Sequence, residues 1–88
     1  MIRRRVIVRG LVQGVFFRDS VRRRAATVGV SGWVRNTGDG AVEAIFEGGP
    51  DTISQLIAFC HEGPRGARVD GVEVTDEAPE GLRGFAIR

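Results

Sequence analysis

A chain of 88 residues is long enough for one hydrophobic core and short for two, so we expect a single domain spanning residues 1–88. Hydrophobic residues make up 42% of the chain and charged residues 27%, which argues against intrinsic disorder. No apolar run approaches the roughly 20 residues that a membrane-spanning helix needs, so we expect a cytoplasmic protein without a membrane partner.

Charge is divided unevenly along the chain. Residues 1–40 contain nine Arg and two Asp, whereas residues 41–88 contain four Arg and nine acidic residues. An anionic ligand should therefore meet the first half. Cys60 and His61 are the only cysteine and histidine. We expect Cys60 in the core, His61 exposed at a helix end, and neither a metal site nor a cofactor.

The first predicted elements are a strand, a glycine-containing loop and a helix. Residues 4–9 alternate between Val6 and Val8 on one face and more polar residues on the other, as expected for a strand. The loop covers residues 10–17. Apolar residues then recur at helical spacing over 18–28, and Gly29 should end this helix.

A hairpin is predicted next, with strands 30–36 and 41–47 joined by the turn sequence TGDG. Trp33 and Phe46 are expected to be packing residues. The arginines at 3–5 and 22–24 are expected to lie on solvated faces.

A second helix is predicted over 52–62, with Asp51 as its N-cap. Strands over 67–76 and 85–87 complete the chain. The resulting order, strand-helix-strand-strand-helix-strand, is typical of the ferredoxin-like α+β fold, in which two helices cover one face of a mainly antiparallel sheet.

The segment GLVQGVFFR, residues 10–18, has two interpretations. Its glycines and the following helix start could direct backbone N–H groups towards one anion, with Arg18 adding a planar pair of donors. Alternatively, the glycines form a tight turn, Phe16 and Phe17 enter the core and Arg18 is solvated. Residue types alone favour the second interpretation, because a short glycine-containing loop is a weak motif.

Asn36 ends the first hairpin strand and also has two interpretations. Its amide could hold a small ligand or a water molecule, or it could shape the hairpin turn, which is the commoner role of asparagine.

Considered together, these segments make the chain resemble the acylphosphatases over nearly its whole length. GLVQGVFFR is similar to their G-x-V-Q-G-V-x-F-R loop, and GVSGWVRNTGDGAVE, residues 29–43, is similar to their second motif. The glycine and proline at 63–64 and Val69 also fit. The C-terminus departs from the family, whose members often end near an aromatic residue, whereas this chain ends in Ala86, Ile87 and Arg88.

The resemblance implies hydrolysis of small acyl phosphates to a carboxylate and inorganic phosphate, by a monomer without metal. It implies that Asn36 orients the attacking water and that Arg18 and the loop backbone hold the phosphate. Phosphate and sulfate should then inhibit. The implied phosphate-binding residues are Gln13, Gly14, Val15, Phe16, Phe17 and Arg18.

Two other functions remain alternatives. An RNA-recognition module has the same element order and a basic surface, but it stacks bases on aromatic residues of its central strands, and strand 4–9 has none. The chain could also serve as one domain of a larger carbamoyl-phosphate-using enzyme. The chain boundaries and the lack of cysteine-rich zinc modules favour a free-standing enzyme, with no nucleic acid partner.

Overall fold

The computed structural model describes all residues from 1 to 88 and contains five strands and two helices. Their order confirms the predicted one. The elements are β1 (Ile2–Leu11), α1 (Phe17–Val28), β2 (Ser31–Asn36), β3 (Val42–Gly48), α2 (Pro50–Glu62), β4 (Arg68–Glu77) and β5 (Phe85–Ile87). β1 is longer than predicted because it pairs along its length with both β3 and β4. Neither helix combines the length and apolar character needed to cross a bilayer.

The strands form one sheet in the order β4-β1-β3-β2-β5. All neighbours are antiparallel except β2 and β5, which are parallel. Because β1 and β2 both run antiparallel to the intervening β3, their carboxyl ends reach the same edge of the sheet, and β5 ends there too. This architecture confirms the predicted ferredoxin-like α+β fold.

The core lies between the helices and one face of the sheet. Its strand residues alternate with residues of the opposite face, and apolar stripes on α1 and α2 cover them. Burying a large apolar side chain contributes about 1.5–3 kcal/mol. The cluster contains Val6, Val8, Val12, Phe17, Val21, Ala25, Val30, Val34, Val42, Ala44, Phe46, Ile53, Leu56 and Cys60.

The helix boundaries differ slightly from those predicted. Gly29 ends α1 as expected, with φ 72° and its N–H directed at the Ala25 and Ala26 carbonyls. The predicted N-cap Asp51 is wrong, because α2 begins at Pro50 and Gly49 is its N-cap. Proline suits the first helical position, since its fixed φ is helical and its missing N–H would have no acceptor there.

The face of the sheet opposite the helices carries charge pairs. Arg3 is buried on this face, so the expectation of a solvated side chain is wrong for it. Its guanidinium donates to Glu47 at 2.8 Å and to Glu77 at 2.9 Å. Two arginines, Arg5 and Arg35, similarly donate to the buried Glu43 carboxylate, each at 2.5 Å.

Glu47 also holds the connection between β4 and β5. Its carboxylate accepts the N–H groups of Glu80, Gly81 and Leu82 at 2.8–3.0 Å. Burial alone would raise the pKa of Glu47, but the Glu80 amide, Arg3 and the other two amides outweigh burial and lower that pKa to about 2. An ionised, fully bonded carboxylate therefore holds the β4–β5 connection against the sheet.

Candidate active site

The loop between β1 and α1 has an unusual backbone. A bulge between Arg9 and Gly10 turns the end of β1, and a Cβ at Gly10 would lie 2.1 Å from the Arg68 carbonyl oxygen. Further along, Gly14 has φ 75° and Phe16 has φ 62°, ψ 25°. The left-handed conformation is uncommon for a bulky residue and costs on the order of 1–3 kcal/mol. Such strain is often found at functional sites.

The N–H groups of this loop are free of protein acceptors. Residues 13–16 donate no backbone hydrogen bond, and the loop backbone takes part only as the acceptor at Phe16 for the Ser20 N–H, at 3.0 Å. No side chain caps the start of α1, whose first-turn N–H groups have no acceptor within the helix. Loop and helix start together offer a set of amide donors to an anion.

Gln13 fixes the loop to the hairpin turn. Its side-chain Nε2 donates to the Thr37 carbonyl at 2.8 Å and to the Ala41 carbonyl at 2.9 Å. Both acceptors belong to the turn that follows Asn36, so a single side chain sets the position of the loop relative to that residue.

The turn itself is held by an ionised carboxylate. Thr37 donates to Asp39, Arg9 donates to it at 3.0 Å, and the Ala41 N–H lies 3.5 Å from it. The Thr37 hydroxyl, then Arg9 and the Ala41 amide, lower the pKa of Asp39 to about 2. The turn after β2 is thus held by the Gln13 side chain and by the hydrogen bonds of Asp39.

Arg18, in the first turn of α1, is half-buried and forms no ion pair. The adjacent Asp19 does not neutralise it, because Asp19 accepts from Arg22 at 3.0 Å and lies 3.1 Å from Arg23. Arg18 borders a cavity of about 270 Å³ beside the loop. The other residues lining this cavity are Val12, Gly14, Phe16, Phe17, Asp19 and Ile87.

Asn36 is the last residue of β2, opposite Val42, which in turn lies opposite Val8. Residues paired in this way share a face of the sheet, so Asn36 lies on the face covered by the helices. Its Oδ1 is buried and has no hydrogen-bond partner. Leaving such an atom unpaired costs about 1–3 kcal/mol, and an unsatisfied buried group of this kind calls for a ligand or water.

The topology places the predicted site residues at one edge of the sheet, since the loop follows β1, Arg18 lies in the first turn of α1 and Asn36 ends β2. Asn36 does not line the cavity beside Arg18; it lines a separate one with Trp33, Arg35, Glu43 and Arg88. Sequence reasoning missed two features of this region: the exposed side chain of Phe16, which the alternative interpretation placed in the core, and the presence of Ile87. Only the parallel pairing of β5 with β2 brings Ile87 to this edge.

Cys60 and His61 also lie outside the cavity beside Arg18. Cys60 is in the core, where burial raises the pKa of its thiol to about 12. His61 is exposed on α2, as expected. No three His, Cys, Asp or Glu residues are arranged to hold a metal ion.

A sheet covered on one face by two helices, with an amide-lined loop at one sheet edge, defines a small ferredoxin-like α+β domain. Within it, residues 4–87 match the family model described as Acylphosphatase. An acylphosphatase of Rubrobacter xylanophilus is 61% identical over 85 residues, covering 96% of this chain and 77% of that protein. The chain belongs to the acylphosphatase family.

Solved structures agree with this assignment. The crystal structure of acylphosphatase from Bacillus subtilis matches with a TM-score of 0.97 and 35% identity, over 100% of this chain and 99% of that one. The crystal structure of HypF from T. kodakarensis matches with a TM-score of 0.86 and 33% identity, over 100% of this chain but 12% of that one. The same unit thus occurs both in a chain of similar length and within a much longer one.

Proposed function

We propose that this protein hydrolyses small acyl phosphates to a carboxylate and inorganic phosphate, as a metal-independent, monomeric, single-domain enzyme of the cytoplasm. The family activity supports the reaction. The observation that carries the proposal is the unpaired Arg18 beside a loop whose N–H groups lack protein acceptors.

In this proposal the loop from Gln13 to Arg18 binds the phosphoryl group. Its N–H donors and the α1 start would surround the phosphoryl oxygens, while the Arg18 guanidinium bonds two of them. Charge-assisted hydrogen bonds of this type contribute roughly 1.5–3 kcal/mol each. Since the Gln13 bonds hold the loop in place without ligand, little ordering is needed when substrate binds.

Asn36 is proposed to orient the attacking water. The buried Oδ1 without a partner can accept one hydrogen of a water molecule, which fixes the direction of the oxygen lone pair towards phosphorus. The side-chain amide would contribute to catalysis by position, since an amide does not take up the proton.

Hydrolysis of an acyl phosphate requires few further catalytic groups from the protein. The carboxylate is a good leaving group, so P–O cleavage depends on positioning and on stabilising charge at the phosphoryl oxygens. The water adds its oxygen to phosphorus, the P–O bond to the acyl group breaks, and the water proton passes to a phosphoryl oxygen. Carboxylate and inorganic phosphate are the products.

The face opposite the helices favours this function over RNA binding. On that face the central strands present Arg5, Glu43 and Ile45 instead of aromatic side chains. Trp33 lies on the neighbouring β2, with the Arg88 guanidinium 4.7 Å from its ring centroid. Stacking of bases on the central strands, the usual basis of RNA recognition by this element order, has no support here.

The proposal is tested by assaying the purified protein with benzoyl phosphate, with a phosphomonoester as the control substrate. We expect hydrolysis of the acyl phosphate alone, unchanged by EDTA and competitively inhibited by phosphate or sulfate. Loss of activity in EDTA that returns with Mg²⁺ or Zn²⁺ would show that metal is required. Equal rates on both substrates would indicate a general phosphatase.

A further inference from the structure

Two large apolar side chains are exposed beside the candidate active site. Phe16 is 78% exposed and Ile87 is 40% exposed, and both line the 270 Å³ cavity that contains Arg18. Elsewhere in the chain, large apolar residues with this exposure are Met1, Leu11 and Val74. The two cavity residues thus form an apolar wall next to a cationic group.

The backbone directs Phe16 outward. Its left-handed conformation places it at the N-cap of α1, and the next residue, Phe17, takes the core position, with its ring centroid 6.2 Å from that of Phe59. The core is therefore filled without Phe16. A strained and exposed phenylalanine stabilises the fold little, so its side chain is available for a ligand.

Ile87 reaches the cavity through strand pairing. It is aligned with the buried Val34 in the parallel β2–β5 ladder, and the Arg88 N–H donates to the Val34 carbonyl at 2.9 Å. Ile87 therefore lies on the helix-covered face, level with the core but at the edge where the cavity opens. Its apolar surface is held rigidly there by backbone hydrogen bonds.

We infer that Phe16 and Ile87 bind the acyl group and make the enzyme selective for acyl phosphates with a compact apolar acyl group. This inference rests on the proposed function, which places the phosphoryl group on Arg18 and the loop. A cavity of about 270 Å³ lies just below the usual range for small-molecule sites, roughly 300–1,000 Å³, which suits a small aromatic or branched acyl group.

Desolvation adds to this selectivity. An acyl group that carries its own carboxylate would lose water against two apolar side chains. Apolar acyl groups do not have this cost. The site should therefore discriminate by chemical character as well as by size.

The experiment compares kcat/KM for benzoyl phosphate, acetyl phosphate and succinyl phosphate in the wild type, Ile87→Ala, Phe16→Leu and Phe16→Ser. The wild type should prefer benzoyl phosphate over both others. Ile87→Ala and Phe16→Ser should reduce the benzoyl-to-acetyl ratio about tenfold, the lower end of the range for one methylene in an apolar pocket, and Phe16→Leu should retain most of the ratio. Circular dichroism establishes that each variant is folded.

Val74→Ala is the matched control, since Val74 is 43% exposed on β4, opposite Val6 and away from the cavity. Its ratio should equal that of the wild type. The inhibition constant of inorganic phosphate, which has no acyl group, should change less than twofold in Ile87→Ala. An unchanged ratio in Ile87→Ala and Phe16→Ser, with acetyl phosphate still hydrolysed, overturns the acyl-binding inference alone. A wild type that hydrolyses none of the three substrates overturns the proposed function.

Discussion

The Arg3 guanidinium donates to the Glu47 carboxylate at 2.8 Å, and the side chains are 8% and 0% exposed. The pair joins β1 to β3 on the face opposite the helices, and Glu47 also accepts three N–H groups of the β4–β5 connection. Two distant parts of the chain thus depend on one carboxylate.

Glu47→Gln should destabilise the fold by about 3 kcal/mol at pH 7, because it removes the buried carboxylate from a buried guanidinium, which then keeps only the more exposed Glu77 and Glu80. The folded pKa of Glu47 is lowered to about 2, from an ordinary value of 4.5. The stabilisation is therefore complete above about pH 4.5 and disappears as the pH falls towards about 2. Urea unfolding at several pH values should show the wild-type advantage narrowing over this range.

Glu77→Gln is the control for that comparison. Glu77 also accepts from Arg3, at 2.9 Å, but its side chain is one-third exposed. We expect a much smaller loss, in line with the roughly 0–1 kcal/mol of exposed pairs. A Glu47→Gln deficit that stays constant down to pH 2 would show that ionisation of Glu47 is not the source of the stabilisation.

Gln13→Ala should free the loop from the hairpin turn. Loss of two hydrogen bonds should lower the free energy of unfolding by about 1–3 kcal/mol. The value of kcat/KM should also fall for the protein that remains folded, because substrate binding must then order the loop. Chemical denaturation and steady-state kinetics measure the two effects. Gln55→Ala, at an exposed position of α2, is the matched control and should change neither.

Arg18→Ala should weaken the binding of substrate and of inorganic phosphate as well as turnover, because the guanidinium contacts the phosphoryl group before and during the reaction. Phosphate at 100 times its Kd stabilises a folded protein by about 2.7 kcal/mol, and this rise in Tm should disappear in the variant. Arg65→Ala removes an exposed arginine that forms no ion pair and should behave as wild type. An equal Tm shift by phosphate in all three proteins would place the anion elsewhere.

Asn36→Ala should lower activity without lowering stability. We expect kcat to fall roughly 10²- to 10³-fold, as for loss of one oriented polar group, with a smaller change in KM. The same substitution removes a buried oxygen that has no partner, so the variant should be at least as stable as the wild type. Kinetics and thermal unfolding on one preparation test both parts. A stable variant with near-normal kcat would remove Asn36 from the mechanism.

The pH dependence of kcat/KM should be nearly flat between about pH 5 and 8, because arginine, amide and backbone groups do not titrate in that range. His61→Ala should leave the profile unchanged, since His61 lies on α2 outside the cavity. Stopped assays with benzoyl phosphate across this range give the profile. A limb near pH 6.5 that is absent in His61→Ala would show that a protein base takes part.

Sequence patterns predicted the fold well because its elements are locally consistent. Val6 and Val8 alternate correctly in β1, and Gly29 ends α1, as their residue types require. The errors arise where long-range contacts determine whether a side chain is buried. Arg3 is buried because Glu47 lies directly opposite it in the β1–β3 register, and no local pattern contains that pairing.

Only part of the candidate site could be predicted from the sequence. The resemblance of two motifs to the acylphosphatases indicated the loop, Arg18 and Asn36, and the sheet topology places them at one edge, while their roles stay a prediction. The conformation of Phe16 could not be predicted, since a left-handed φ of 62° is not one that phenylalanine prefers. Ile87 was missed because its position depends on the pairing of β5.

The left-handed Phe16 has a consequence for laboratory evolution. Glycine or asparagine adopts that conformation at lower cost, so a library selected for thermostability alone should replace Phe16 early. Alanine at Asn36 should be enriched by the same pressure. The selected variants would then be more heat-resistant but would have lost the side chains of Phe16 and Asn36. Alternating selection for stability with selection for turnover should retain both residues.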